Sequence, residues 1–387
     1  MRPIWLICAG AMLAPLDSSV NVAFPDIVAS FAISPNQIQW VILPYVLTQS
    51  LASLGFGRLG DRHGHRLIFS LGLAACAVTH WAITRSSDYE TLVLWRAIQG
   101  ASVGMTIACA PALIVQTAPV GQTARDLSLY SAAISAGMIL GPLVGGYLVH
   151  IAGWPGVYLF RVGLALVVWC ALPWGLPSSP TMILPRPTET IFAGPVFRST
   201  RFLALQATAA LIYLTTFTIM LWVPFLLTPW PGIDDIVAGT VLATFPAGTF
   251  AASLWVAHGQ GRWAWMKAER LMFWGLMGAS AGLASTALAA GLLVTPLLLV
   301  GLGLSGIGLG CFQSAYMEQT LNCLPAQQSG VAGALVNVMR LIGLFIGVPL
   351  LSAMGQYLGI AVTLAMAAAL TVMGAWAHHR WNVAVNG

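Results

Sequence analysis

The chain alternates apolar stretches with short polar loops, and each stretch is about as long as the roughly 20 residues a helix needs to cross a bilayer. Of its 387 residues, 58% are hydrophobic and 7% charged, against about 25% charged in an ordinary soluble domain. No water-facing surface can be built from that composition. Reading the stretches between charges, Pro/Gly clusters and tryptophans predicts twelve spans, at 4–26, 38–57, 66–84, 91–116, 128–149, 155–174, 201–228, 235–257, 270–290, 295–319, 328–352 and 358–377. The fold class is therefore an all-α membrane protein.

One interruption stands out. A stretch with Pro177, Pro180, Pro185, Pro187 and Pro195 divides the spans into two groups of six. This predicts an N-terminal half over 1–175, a cytoplasmic linker over 176–200 and a C-terminal half over 201–387. The amino-terminal run after Arg2 has the look of a signal peptide. It continues through Asp17 to Pro25, however, and is better taken as the first span.

Lys and Arg set the orientation once the loops alternate sides. Arg58, Arg62, Arg66, Arg125, Arg262, Lys267 and Arg270 fall on one side with Arg2 and Arg380, and Arg85 falls on the other. The basic side is expected to be cytoplasmic, which places both termini inside the cell's inner (cytoplasmic) membrane. Asp234 or Asp235 suits the N-cap of the eighth span.

Other chemistries find little support. The net charge of +5 comes from residues that form no run or aromatic-interleaved patch, so nucleic acid is not an expected partner. The six cysteines (Cys8, Cys76, Cys109, Cys170, Cys311, Cys323) have no CxxC or metal-ligand spacing and read as packed thiols, so no metal or cofactor is expected. Gly301-Leu-Gly303-Leu-Ser-Gly306 fits GxGxxG but lies inside an apolar span with no preceding strand, where glycine-mediated helix packing explains it better. Neither HExxH nor a P-loop occurs, the GxSxG matches at Gly100–Gly104 and Gly278–Gly282 lie inside apolar spans with no preceding strand, and the chain is not expected to be an enzyme.

Between the second and third spans stands Gly57-Arg58-Leu59-Gly60-Asp61-Arg62-His63-Gly64-His65-Arg66. Its glycines permit a tight turn and close helix approach, and Asp61 can face a positively polarised helix N-terminus. The stretch resembles the G-x-L-x-D-R-x-G-R-x signature of the major facilitator superfamily. Three further stretches resemble its drug:proton antiporters of the branch that usually has fourteen helices. They are Leu16-Asp17-Ser-Ser-Val-Asn21-Val-Ala-Phe-Pro25 in the first span, Leu92-x-x-x-Arg96-x-x-Gln99-Gly100 in the fourth, and Gly137-x-x-x-Gly141-Pro142-x-x-Gly145-Gly146 in the fifth. Phe197-Arg198-Ser-Thr-Arg201-Phe202 and the stretch from Gly330 through Asn337 and Arg340 to Gly343 extend the likeness across nearly the whole chain. Two departures are plain: the extra helix pair between the halves is absent, and the second-half loop His258-Gly-Gln-Gly-Arg262 lacks the Asp.

The resemblance implies a major facilitator fold of twelve helices and transport by alternating access. Gly57, Asp61, Arg62, Gly64 and Arg66 would form a conformational latch, with Asp61 near the start of the eleventh helix. Gly137, Gly141, Pro142, Gly145 and Gly146 would form the antiporter motif. Arg96 would take part in proton transfer.

Charges inside a bilayer require a partner, a cavity or a function. Asp17 is the acidic residue nearest the middle of a span and the best proton carrier, because cavity hydration and a nearby arginine push its proton affinity in opposite directions. A fixed pair with Arg96, or capping of a broken helix, is the structural alternative. Arg161 is unexpected; either waters and helix carbonyls satisfy it, or the substrate bears an acid. Asn21, Tyr45, Gln99, Arg161, Asn337 and Arg340 are the candidate cavity residues, with Gln49, Tyr130, Tyr213, Phe217, Trp222 and Gln313 as weaker ones.

The expected function is proton-coupled antiport exporting drugs or small amphiphilic metabolites. The partners are a small-molecule substrate, protons and the lipid bilayer, and the protein is expected to be a monomer. Proton-coupled import of a metabolite and a polytopic membrane protein without transport activity stay open as alternatives.

Overall fold

In a computed structural model of the chain, the residues described are 3–119, 122–176, 200–230, 232–259, 267–323 and 329–386. Twelve α-helices carry the fold: α1 Pro3–Ala11, α2 Phe24–Phe31, α3 Gln39–His63, α4 His65–Thr84, α5 Tyr89–Thr117, α6 Thr123–Gly175, α7 Thr200–Leu227, α8 Asp235–Gly259, α9 Ala268–Leu292, α10 Thr295–Cys323, α11 Ser329–Leu358 and α12 Ile360–Asn386. These are not one-to-one with the predicted spans. The first span is broken, with α1 and α2 joined through a 3-10 segment, Pro15–Asn21. The fifth and sixth are joined in α6, whose 53 residues would be about 80 Å long at roughly 1.5 Å per residue, against a bilayer core of about 30 Å. Gly153, at φ 64° and ψ −174°, breaks α6 between its two arms. With α6 counted as two passes, the architecture is the expected one of twelve spans in two groups of six, all helical.

The break in the first span follows from its sequence. Pro15 lacks the N–H that would continue the α1 ladder. Ser18 and Ser19 then donate their hydroxyls to the carbonyls of Pro15 (2.7 Å) and Leu16 (2.6 Å), which favours the tighter turn. At seven residues the 3-10 segment exceeds the usual length of three or four, a mark of a hinge or of strain. The cap expected at the eighth span is present: Asp234 Oδ1 accepts from the Val237 N–H at 2.8 Å. Asp88 accepts from the Thr91 N–H at 2.8 Å before α5, a bond that holds its carboxyl below the usual range.

The chain divides into two units, Met1–Arg186 with Ile233–Thr240, and Pro187–Gly232 with Val241–Gly387. The core of the first joins α1, α4, α5 and the second arm of α6 through Ile7, Leu13, Phe69, Leu73, Val103 and Ala165. In the second, α9 packs along α12 and, through glycines, along α10: a Cβ at Gly275 would meet the Phe312 backbone nitrogen at 2.7 Å. Trp81, Trp174 and Trp274 stay exposed, as lipid-facing side chains do. Of the cysteines, Cys8, Cys76, Cys109 and Cys311 are buried as expected, Cys323 is half-buried, and Cys170 is exposed. Of the expected linker at 176–200, residues 177–199 lie outside the described residues, as do residues 260–266 of the second-half loop.

Candidate functional site

In the first unit, two arginines converge on Asp17. Arg96 Nη1 and Nη2 lie 2.8 and 2.9 Å from Asp17 Oδ1 and Oδ2, a two-pronged pairing in which each guanidinium nitrogen donates to its own carboxylate oxygen. Arg161 Nη1 donates to the same Oδ1 at 2.5 Å. Arg96 and Arg161 are 1% and 0% exposed, whereas the Asp17 side chain keeps 13% of its surface open. The carboxylate is thus the accessible member of a cluster whose cations are sealed.

Each member is placed by its helix. Arg96 and Gln99, three residues apart, share one face of α5. Arg96 Nε donates to the Val41 carbonyl at 2.8 Å, tying the guanidinium to α3, and its Nη1 also donates to Gln99 Oε1 at 2.7 Å. Gln99 Nε2 in turn reaches Asp17 Oδ1 at 3.2 Å. The Tyr45 ring lies 4.3 Å from the Arg96 guanidinium carbon and the Tyr158 ring 4.8 Å from that of Arg161, an arrangement in which ring faces stabilise the cations. Arg161 Nη2 and the Tyr45 and Tyr158 hydroxyls are buried and have no hydrogen-bond partner among the described residues.

The glycines of the fifth span dock the segment that carries Asp17. A Cβ at Gly137 would come within 2.7 Å of Pro15 Cγ, and one at Gly145 within 2.7 Å of the Ser19 carbonyl oxygen; one at Gly141 would collide with Ser18 Oγ. Gly146 meets the backbone of Asp235 instead. Pro142 lies inside the same arm, where it removes one helical donor. The close approach of α5 to α3 has the same basis, since a Cβ at Gly104 would sit 2.6 Å from the Gln49 carbonyl oxygen.

The remaining predicted residues are spread out. Asn21 closes the 3-10 segment, half-buried. In the loop after α3, Gly64 turns the chain at φ 93° and His65 Nε2 lies 3.1 Å from Asp61, whose side chain is 55% exposed. Gly57 faces Ala108 of α5 at ordinary contact distance, and Arg62 ends α3 while Arg66 begins α4. Arg340 lies within α11, in the second unit, and is exposed. The Asn337 side chain lies outside what is described.

Three features escaped the sequence reading. His80 is fully buried beside Gln99. Asp126, in the first turn of α6, is 4% exposed. In the second unit Tyr316 donates to Gln206, with the Tyr213 hydroxyl and Gln206 Nε2 buried and lacking partners among the described residues. His80 and Gln206 carried no motif. The usable signal was that a histidine and a glutamine sit within long apolar spans.

Comparison with known proteins agrees with the fold. The Major Facilitator Superfamily profile matches residues 6–348. The Tetracenomycin C resistance and export protein of Streptomyces glaucescens is 34% identical over 165 residues, 42% of this chain and 31% of that protein. Riboflavin transporter RibZ of Clostridioides difficile is 27% identical over 172 residues, 43% of this chain and 38% of that protein. The matched stretches thus span about a third of the relatives' own lengths. The crystal structure of nucleoside transporter NupG shares the fold at a TM-score of 0.82 and 13% identity, covering 98% of this chain and 99% of that one.

Proposed function

We propose, from the premise that this chain belongs to the Major Facilitator Superfamily, that it is a proton-coupled antiporter exporting small amphiphilic molecules by alternating access, with Asp17 as the proton site. The observation that carries this reading is the Asp17–Arg96–Arg161 cluster, whose one carboxylate is partly open while both guanidiniums are buried. Taking up a proton there cancels the anion that holds α5 and the second arm of α6 to the 3-10 segment. Such a local charge change can bias a two-state fold. The relatives named for resistance and export, and the fifth-span glycines seated on the Asp17 segment, support the export direction. The distribution of Lys and Arg supports cytoplasmic termini in the inner membrane, and a monomer suffices for the mechanism.

A second reading, symport of an acid with its proton, is favoured by one observation. Two guanidiniums against one carboxylate leave a surplus positive charge, and protonating Asp17 would leave two buried cations without an anion. Uncompensated buried charge is costly. A carboxylate-bearing substrate that replaced Asp17 on the arginines would remove that cost, and it would then bind together with the proton rather than against it. Counterflow in proteoliposomes separates the two: an imposed pH gradient drives substrate opposite to protons in antiport and alongside them in symport.

A further inference from the structure

The cluster around Asp17 contains a histidine that neither reading uses. His80, deep in α4, is 0% exposed and lies behind Gln99. Its partners fix its chemistry. Nδ1 is 2.5 Å from the Cys76 carbonyl oxygen, which only accepts, so Nδ1 carries the hydrogen. Nε2 is 3.1 Å from Gln99 Nε2. The Gln99 amide cannot be turned the other way: its oxygen is 2.7 Å from Arg96 Nη1, which only donates, and its nitrogen is 3.2 Å from a carboxylate oxygen of Asp17, which only accepts. Gln99 Nε2 therefore donates to both Asp17 and His80, and His80 Nε2 receives with its lone pair. An imidazolium would set N–H against N–H. The charged groups acting on His80 are Arg161, Asp17 and Arg96, and its other titratable neighbours are Cys76, at the carbonyl it bonds, and Tyr158, whose ring centroid is 6.3 Å away.

From this geometry we propose that neutral His80 is a positioning residue for the proton site: Arg96 and Asp17 select the orientation of the Gln99 amide, and His80, by accepting its second N–H, anchors it in the place where it donates to Asp17. The inference rests on Asp17 being the proton site and is independent of transport direction. Without the His80 acceptor, Arg96 and Asp17 still set which way the Gln99 amide faces, but its second N–H is left buried and unpaired, the amide is no longer anchored against Asp17, and the donor that stabilises the charged form of Asp17 is weakened. A carboxylate that loses such a donor takes up its proton at higher pH. A hydrogen bond to a charged group corresponds to a displacement on the order of one pH unit.

The test is an infrared pH titration of the full-length protein in nanodiscs, following the protonated-carboxyl band that disappears in Asp17→Asn. In His80→Leu the midpoint should move about one unit to higher pH. In His80→Gln, whose side-chain oxygen can still accept from Gln99, it should stay near the wild-type value. Gln99→Met removes the same donor and should reproduce the Leu shift, which keeps the test decisive if His80→Leu does not fold. Unchanged midpoints in His80→Leu or in Gln99→Met would reduce His80 to packing. A Gln variant shifted as far as Leu would show that the imidazole acts through its own titration, and would overturn the positioning role while leaving Asp17 in place. Absence of any pH-dependent band assignable to Asp17 would overturn both.

Discussion

Arg161 Nη1 lies 2.5 Å from Asp17 Oδ1, the oxygen that also accepts from Arg96 Nη1 at 2.8 Å. One carboxylate oxygen therefore serves two guanidiniums from different helices, and the anion that Arg161 requires is supplied by the protein itself. This makes Asp17 the keystone of three spans in the first unit.

Asp17→Asn should accordingly cost more than a proton site. Among the described residues Asp17 is the carboxylate partner of both buried arginines, and removing such a partner destabilises by about 3–5 kcal/mol. Thermal unfolding of the purified variant should fall sharply, and adding Arg161→Gln should recover part of the loss, because one unpaired cation is removed with it. A double variant no more stable than Asp17→Asn alone would show that Arg161 is held by other groups.

The two arginines should separate functionally. Arg96 makes four hydrogen bonds to Val41, Asp17 and Gln99, whereas Arg161 adds the surplus charge. Arg96→Ala is expected to uncouple transport from the pH gradient. Arg161→Gln should retain coupling and instead change substrate preference, lowering competition by acidic amphiphiles relative to lipophilic cations. Inhibition panels on both variants check this, and identical panels before and after Arg161→Gln would remove it from substrate recognition. Arg340→Ala, at an exposed position of the second unit, should leave proton-to-substrate stoichiometry intact.

Among the glycines of α6 the order of damage is set by what each would strike, with Gly163 in the second arm as the control. At Gly145 an added Cβ meets Ser19 backbone at 2.7 and 2.9 Å, so the Asp17 segment must move; at Gly141 it meets a hydroxyl that can rotate; at Gly163 it meets nothing within 4 Å. Gly145→Ala should cost about 1–3 kcal/mol, the usual penalty of overpacking, with Gly141→Ala milder and Gly163→Ala neutral. Equal unfolding temperatures for all three would mean that the 3-10 segment is not wedged by this stripe.

Asp61 pairs with His65 across the Gly64 turn; His65 is buried but the Asp61 side chain is 55% exposed, so water screens the contact and it is worth at most about 1 kcal/mol. Asp61→Asn should thus barely affect stability. If the loop is the latch that its sequence resembles, the same change should shift the conformational balance several-fold away from the outward-facing state. Labelling of a cysteine introduced on the outer side of the cavity would then fall, and unchanged labelling would deny the latch.

Much of this was legible in the sequence, from apolar spacing and the family resemblance together. Asp17, Arg96 and Gln99 declared themselves as polar groups in apolar spans, and α3–α5 and α7–α12 follow the expected segments because length and hydropathy suffice to define a span. The break at Pro15–Asn21 was not legible, since the same residues are apolar enough to read as one helix, and the side-chain bonds of Ser18 and Ser19 decide the local geometry. Nor was the Arg161–Asp17 pairing, which joins residues 144 positions apart and depends on how α6 packs. His80 stood out only as a histidine in an apolar span; sequence spacing does not show its pairing with Gln99, 19 positions on and across the connection between α4 and α5.

The central claim, that Asp17 exchanges a proton for substrate, is tested most directly by proteoliposomes holding the purified protein, a pH-sensitive dye inside, and an imposed gradient. Substrate added on one side should drive protons the opposite way in the wild type and leave them still in Asp17→Asn reconstituted at equal amount. Proton flux undiminished in Asp17→Asn would contradict the account.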